Sequence, residues 1–199
     1  MGLRIPSFTY PGIAVTAEEH GFDSVYVMDH LFQLPLLGRP DDNMIEAYTI
    51  LSALAGRTKK VRLGCMVGGM TYRNTAHLAK IVTALDVESR GRAIWGIGAG
   101  WFEQEHRALG YEFGTFTDHF EKLEEGLQSV RSMFANDTAT FDGKWFQVKD
   151  AFNVPKPVQA GGPRVLIGGS GEKKTLRMVA QYGDACNVFG DAIGRREGR

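Results

Sequence analysis

Apolar residues along this chain fall into short continuous blocks that alternate with stretches of helical period. The blocks at 24–28, 61–67, 92–97, 164–167 and about 184–189 read as strands buried on both faces, and a shorter one at 3–7 precedes them. Between them the spacing changes to three and four. A helix is predicted at 13–19, stopping at Gly21, and a second at about 44–55 with Met44, Ala47, Tyr48, Leu51 and Leu54 on one face. A third, at 75–88, follows Asn74 as N-cap and buries Leu78, Ile81, Val82 and Leu85. Then come a short helix at 101–109, a long one with Phe116, Phe120, Leu123, Leu127, Val130 and Phe134 as its core stripe, and a last one at 172–182. Strands alternating with helices predict an α/β fold with a parallel sheet. The stretch 138–163 breaks the rhythm: 140–148 reads as a hairpin turning at Asp142-Gly143, and Pro155, Pro157 and Pro163 mark an extended connector.

Size narrows the architecture. A chain of 199 residues that is 43% hydrophobic is expected to form one domain, 1–199. A complete eight-unit α/β barrel takes about 250 residues, and only six strands can be counted here. The first crossover is thin, because seven helical residues span about 10 Å against roughly 17 Å for a typical strand. An incomplete barrel is therefore expected, with an exposed edge after its last strand and an atypical polar tail at 191–199. Lys+Arg and Asp+Glu balance at 23 each, which favours neither nucleic acid nor an acidic membrane surface. No apolar run reaches a membrane span and the start lacks a leader pattern, so a cytoplasmic location is expected. Cys65 and Cys186 read as small buried hydrophobes rather than as a disulfide or a metal pair.

Candidate chemistry collects where the strands stop. The first strong block ends in Asp29-His30, the next in Gly68-Gly69, the next in Gly98-Ala99-Gly100, and the fourth breaks into Gly168, Gly169, Ser170 and Gly171 before Glu172. Small residues between a strand and a helix let the backbone approach a ligand, and the first helical turn offers free N–H groups, so this segment reads as an anion cradle. Its spacing does not fit the dinucleotide pattern G-x-G-x-x-G. Histidine as a residue type titrates near neutrality, which makes His30 a candidate for proton transfer. His77, His106 and His119 fall on helices and read as surface residues or residues behind the site; Arg73 and Lys173 read as surface charges, and Trp101 and Phe102 as wall or core. No His-x-His pair or carboxylate cluster accompanies Asp29-His30, which argues against a metal-dependent hydrolase.

Four motifs in order, Val-Tyr-Val-Met-Asp29-His30, Arg62-Leu-Gly-Cys-Met-Val67 with Thr71-Tyr-Arg-Asn74, Gly96-Ile-Gly-Ala-Gly-Trp-Phe-Glu-Gln-Glu-His106 and Ile167-Gly-Gly-Ser-Gly-Glu172, resemble the luciferase-like monooxygenase family. The closer resemblance is to its branch of oxidoreductases that use the deazaflavin coenzyme F420. It implies a TIM-barrel-like (β/α)8 fold, usually dimeric, with an insertion where the hairpin lies here. It also implies roles. Asp29 matches an acidic residue near the deazaflavin ring, and His30 a histidine acting at the substrate. Cys65, Met66 and Val67 match a strand bulge whose non-prolyl cis peptide backs the ring, with Met66-Val67 as the bond. Gly168, Gly169, Ser170, Gly171 and Glu172 match the loop that binds the cofactor phosphate. The implied reaction is hydride transfer between the deazaflavin and a small organic substrate, with His30 handling the proton on the substrate oxygen.

Two departures stand out. Where the resembled sugar-phosphate dehydrogenases carry an acidic glutamate, this chain has Trp101, so no acid/base pair is evident; Glu103, Glu105 and His106 stand nearby on a helix. After Phe189-Gly190-Asp191 the sequence resembles nothing in the family and reads as a frameshift, an early stop or an engineered end. The alternatives are an FMN-dependent monooxygenase of the same family and a shortened, non-catalytic binding or oligomerising relative. In the last case the open edges predict a dimer, a swapped pair or aggregation.

Overall fold

Five parallel strands stand side by side: β1 (Ser24–Val27), β2 (Arg62–Cys65), β4 (Ala93–Gly98), β7 (Arg164–Gly168) and β8 (Ala185–Asn187). Residues 10–188 are described by this computed structural model; the strand expected at 3–7 and the tail at 191–199 lie outside them. A two-residue strand β3 (Gly68–Gly69) continues β2 after a break and pairs with β4. Register is set by pairs such as Val27↔Cys65, Gly64↔Ile94 and Trp95↔Val165. Because every pairing in this sheet is parallel, all strand ends that carry candidate chemistry emerge on one side. The result is half of a barrel wall.

Helices α1 (Tyr10–Glu19), α2 (Ala47–Ala55), α3 (Thr75–Glu88), α4 (Glu103–Leu109), α5 (Phe116–Ala135) and α6 (Thr175–Tyr182) fill the crossovers. Where their ends depart from expectation, local chemistry explains it. α1 already includes Tyr10, the first described residue, so it extends ahead of the predicted start at 13, with Pro11 and Gly12 inside it. α2 begins at Ala47, not 44: the Glu46 carboxylate caps it by accepting from Thr49 N–H at 2.7 Å. α3 has the expected bounds, since the Asn74 side chain accepts from Ala76 and His77 N–H. α6 starts at Thr175, three residues later than expected, after a turn at 172–174.

The core joins Leu51, Leu54, Leu63, Leu78, Leu85, Trp95, Ile97, Leu123 and Leu127, each at most 2% exposed. It lies between the sheet and the layer of helices. The insertion is its own two-stranded antiparallel sheet, β5 (Thr138–Asp142) with β6 (Gln147–Phe152), longer than the predicted hairpin. Its turn is 143–146, not Asp142-Gly143, because the Glu125 carboxylate of α5 gathers the N–H groups of Lys144, Trp145 and Phe146. Cys65 is buried as expected, whereas Cys186 is exposed, on β8 at the border of the described sheet.

Candidate active site

At the end of β1 two consecutive residues meet opposite environments. Asp29 is 3% exposed and turns inward, where Arg73 grips both carboxylate oxygens at 2.6 and 2.8 Å and Gly69 N–H donates at 3.3 Å. Arg73 also reaches Glu46 at 2.7 Å and lies over the Tyr48 ring. This corrects the reading of Arg73 as a surface charge: its side chain is 12% exposed. Burial pushes the Asp29 carboxyl above its ordinary value, with Arg73 pulling the other way. Burial also works against the Arg73 charge, but Asp29 outweighs it and holds the guanidinium protonated. Besides Arg73, Asp29 meets backbone at Gly69 N–H, in β3 just past the bulge after β2.

His30 faces the other way. Its Nδ1 meets Glu105 Oε2 at 3.0 Å, and its ring stands edge-on to Trp101 and Phe102, with centroids 5.8 and 5.7 Å away. Nε2 has no hydrogen-bond partner among the described residues, and the His30 side chain keeps 14% exposure. Glu105, on α4, is fully buried. Its Oε1 accepts from the N–H groups of Leu31 and Phe32, and its Oε2 accepts from Tyr72 OH and His30. Burial alone would raise the Glu105 pKa, but these four donors together hold it below the ordinary range. Sequence reasoning had placed Glu105 nearby without pairing it to His30. The structure supplies the pair.

Behind them, His106 Nδ1–H donates to Phe102 C=O at 2.8 Å, so its Nε2 accepts from Thr71 OH at 2.6 Å. His119 is buried against the carbonyls of Gly100 and Phe113, while His77 is exposed. Trp101 is 60% exposed beside His30, and Phe102 is buried at its back.

The bulge after β2 contains the expected non-prolyl cis bond, Met66-Val67. It separates the roles of the three residues matched there. Cys65 is fully buried on the core side and burial pushes its thiol up, so it offers the site only backbone. Met66 is exposed. Val67 packs across two strands: a Cβ on Gly98 would come within 3.0 Å of its Cγ2, and one on Gly168 within 2.3 Å. The bulge and the glycine loop are therefore in contact through Val67. In that loop Gly169 has φ +134°, a conformation open to glycine alone, and its N–H donates to Asn187 C=O. Ser170, Gly171 and Glu172 are exposed, as is Lys173.

A pH dependence follows from Glu105. Its folded pKa lies below the unfolded value of about 4.5, so its contribution is complete above that pH and is lost as pH falls through the folded pKa. Exchange protection of the Leu31 and Phe32 amides should then drop on acidification below about pH 4.5, before global unfolding. Unchanged protection down to global unfolding would show that Glu105 does not hold this loop.

The family model for luciferase-like monooxygenases matches residues 10–195. The F420-dependent glucose-6-phosphate dehydrogenase of Amycolatopsis mediterranei (strain U-32) is 34% identical over 160 residues, which is 76% of this chain and 47% of that protein. A second such dehydrogenase, from Microbacterium testaceum (strain StLB037), is 33% identical over 162 residues, 81% of this chain and 46% of that protein. The chain thus spans about half the length of the curated relatives it matches. Among solved structures, an F420-dependent secondary alcohol dehydrogenase in complex with an F420-acetone adduct superposes with TM-score 0.82 at 25% identity, covering 93% of this chain and 55% of that one. The EDTA monooxygenase of Chelativorans sp. BNC1, at 21% identity and TM-score 0.82, covers 96% of this chain and 49% of its own and shares the fold. With a family match over nearly its whole length and the family's half-barrel of parallel strands, this chain belongs to the luciferase-like monooxygenase family.

Proposed function

We propose that this chain serves an oxidoreductase that takes the deazaflavin coenzyme F420 and a small organic substrate with a hydroxyl-bearing carbon. The observation that carries this reading is His30: one ring nitrogen is anchored on a buried carboxylate and the other has no partner among the described residues, beside exposed Trp101. The residues present fit a flat ring with a phosphate tail. Exposed Met66 and Trp101 offer apolar surface at the strand ends, and the loop from Gly168 to Glu172 exposes backbone that side chains would otherwise cover. When bound, a deazaflavin supplies the carbon that accepts or gives the hydride. His30 takes the proton from the substrate hydroxyl at Nε2, or returns it in the reverse direction. Trp101 and Phe102 hold its ring at a fixed angle. The F420-dependent relatives, with dehydrogenation among their named activities, support the choice of cofactor and reaction.

In the same reading the protein works in the cytoplasm as a homodimer. Among the described residues β1 and β8 are the outer strands of the sheet, and a second copy can cover such edges. Titrating the purified protein with F420 and, in parallel, FMN tests the cofactor. We expect saturable F420 binding below about 10 µM, which corresponds to roughly 7 kcal/mol, and weaker FMN binding. Tighter FMN binding would move the protein to the monooxygenase branch, and binding of neither at tens of micromolar would leave the non-catalytic reading.

A further inference from the structure

We propose that Glu105 is the positioning residue of His30: it selects the ring tautomer that leaves Nε2 free to accept a proton. The claim rests on hydrogen-bond direction. An ionised carboxylate only accepts, so Nδ1, 3.0 Å from Glu105 Oε2, must carry the hydrogen of the neutral ring. Three other donors, Leu31 N–H, Phe32 N–H and Tyr72 OH, converge on the same carboxylate and keep it in its accepting form. The pull of these donors on the Glu105 pKa agrees. Neutral His30 is thereby set as a base at Nε2. Its significance for catalysis rests on the functional reading above, whereas the tautomer itself can be measured without any cofactor.

The arrangement makes the Glu105→Gln variant informative. Leu31 and Phe32 offer only backbone N–H groups, so the amide oxygen must turn toward them and the amide NH2 must take the place of Oε2. There it donates to His30 Nδ1, which must become the accepting nitrogen, and the hydrogen moves to Nε2. One carboxylate-to-amide change therefore reverses His30 from acceptor to donor toward the substrate, as a wrong tautomer disables a buried Asp-His pair elsewhere. A merely structural Glu105 would not reverse it.

The test is a long-range 1H–15N spectrum of protein labelled with 15N-histidine, with His30 signals assigned by their loss in His30→Gln. With the ring in its neutral form, we expect pyrrole-type Nδ1 and pyridine-type Nε2 in the unsubstituted protein. The two types should exchange places in Glu105→Gln and stay as in the parent in Tyr72→Phe. A hydrogen on Nε2 in the unsubstituted protein overturns the proposal, as does a folded Glu105→Gln with an unreversed ring. Should Glu105→Gln not fold, the unsubstituted spectrum decides alone. A reversed tautomer in a protein that binds no F420 would sink the functional reading and leave this inference standing.

Discussion

Arg73→Ala should destabilise the protein by about 3 to 5 kcal/mol at neutral pH, the range for removing one partner of a buried ion pair. The Arg73 side chain is 12% exposed and that of Asp29 only 1%, so Asp29 cannot regain hydration once its two guanidinium bonds are gone. Glu46 and the Tyr48 ring lose a partner as well. The pH dependence has a definite sign. The folded Asp29 pKa is already raised above the ordinary 3.8, and losing Arg73 raises it further. A raised folded pKa means stability that is present below the unfolded pKa and lost as pH rises through the folded one. The deficit of Arg73→Ala should therefore be largest at neutral pH and shrink toward pH 4. Adding Asp29→Asn should restore part of it by removing the charge left behind. Urea unfolding of the parent and the two variants at two pH values measures this, and a neutral-pH loss under about 1 kcal/mol would mean that the pair does not pin the site.

Gly96→Ala should be nearly as severe, with a loss of about 3 kcal/mol at the upper end of overpacking costs. A Cβ at this position would stand 1.8 Å from the Cys65 carbonyl oxygen. The clash is with backbone of the neighbouring strand at the edge of the cis bulge, so it can be relieved only by parting β2 from β4. Gly126→Ala is the control. Its Cβ would come equally inside contact distance, 2.3 Å, but against the Sδ and Cε of Met70, a side chain that can move. The first variant should lose far more in thermal or urea unfolding than the second. Equal losses would refute the idea that β2 and β4 are held at this spacing by a missing side chain.

Much of the fold was legible because strands buried on both faces announce themselves as apolar runs, and because Asn74 marks a helix start by a short-range bond. The site was legible only in part. His30 and the Gly168 loop were named as candidates from their place at strand ends, and the observed Met66-Val67 cis bond was expected from family resemblance. Arg73 was misjudged as a surface charge and Glu105 was placed nearby but left unpaired for one reason: their partners are 44 and 75 residues away, a range at which pairing leaves no local pattern. A signal for Glu105 did exist. The α4 N-cap Phe102 and, three and four residues on, Glu105 and His106 form one inward stripe, and all three are buried. Reading a carboxylate on that stripe as buried would have called for donors to satisfy it. The boundary error at Ala47 has a humbler source, a glutamate in an unusual capping role.

The separate hairpin has a consequence for the order in which the chain assembles. Thr138 pairs with Phe152 across a closed loop of one turn, and the turn is clamped to α5, its neighbour in sequence. By contrast β4 must find β7 across everything between Gly98 and Arg164, the hairpin included. Closing a short loop is entropically far easier, so α5 with β5 and β6 should gain protection first in pulse-labelled exchange, and β7 should join the sheet later. Were the amides of β4 and β7 protected before those of the hairpin, this order would be wrong. With the hairpin first, the segment that interrupts the barrel pattern shortens the search that completes the sheet: once folded, it reduces the length of free chain that separates β4 from β7.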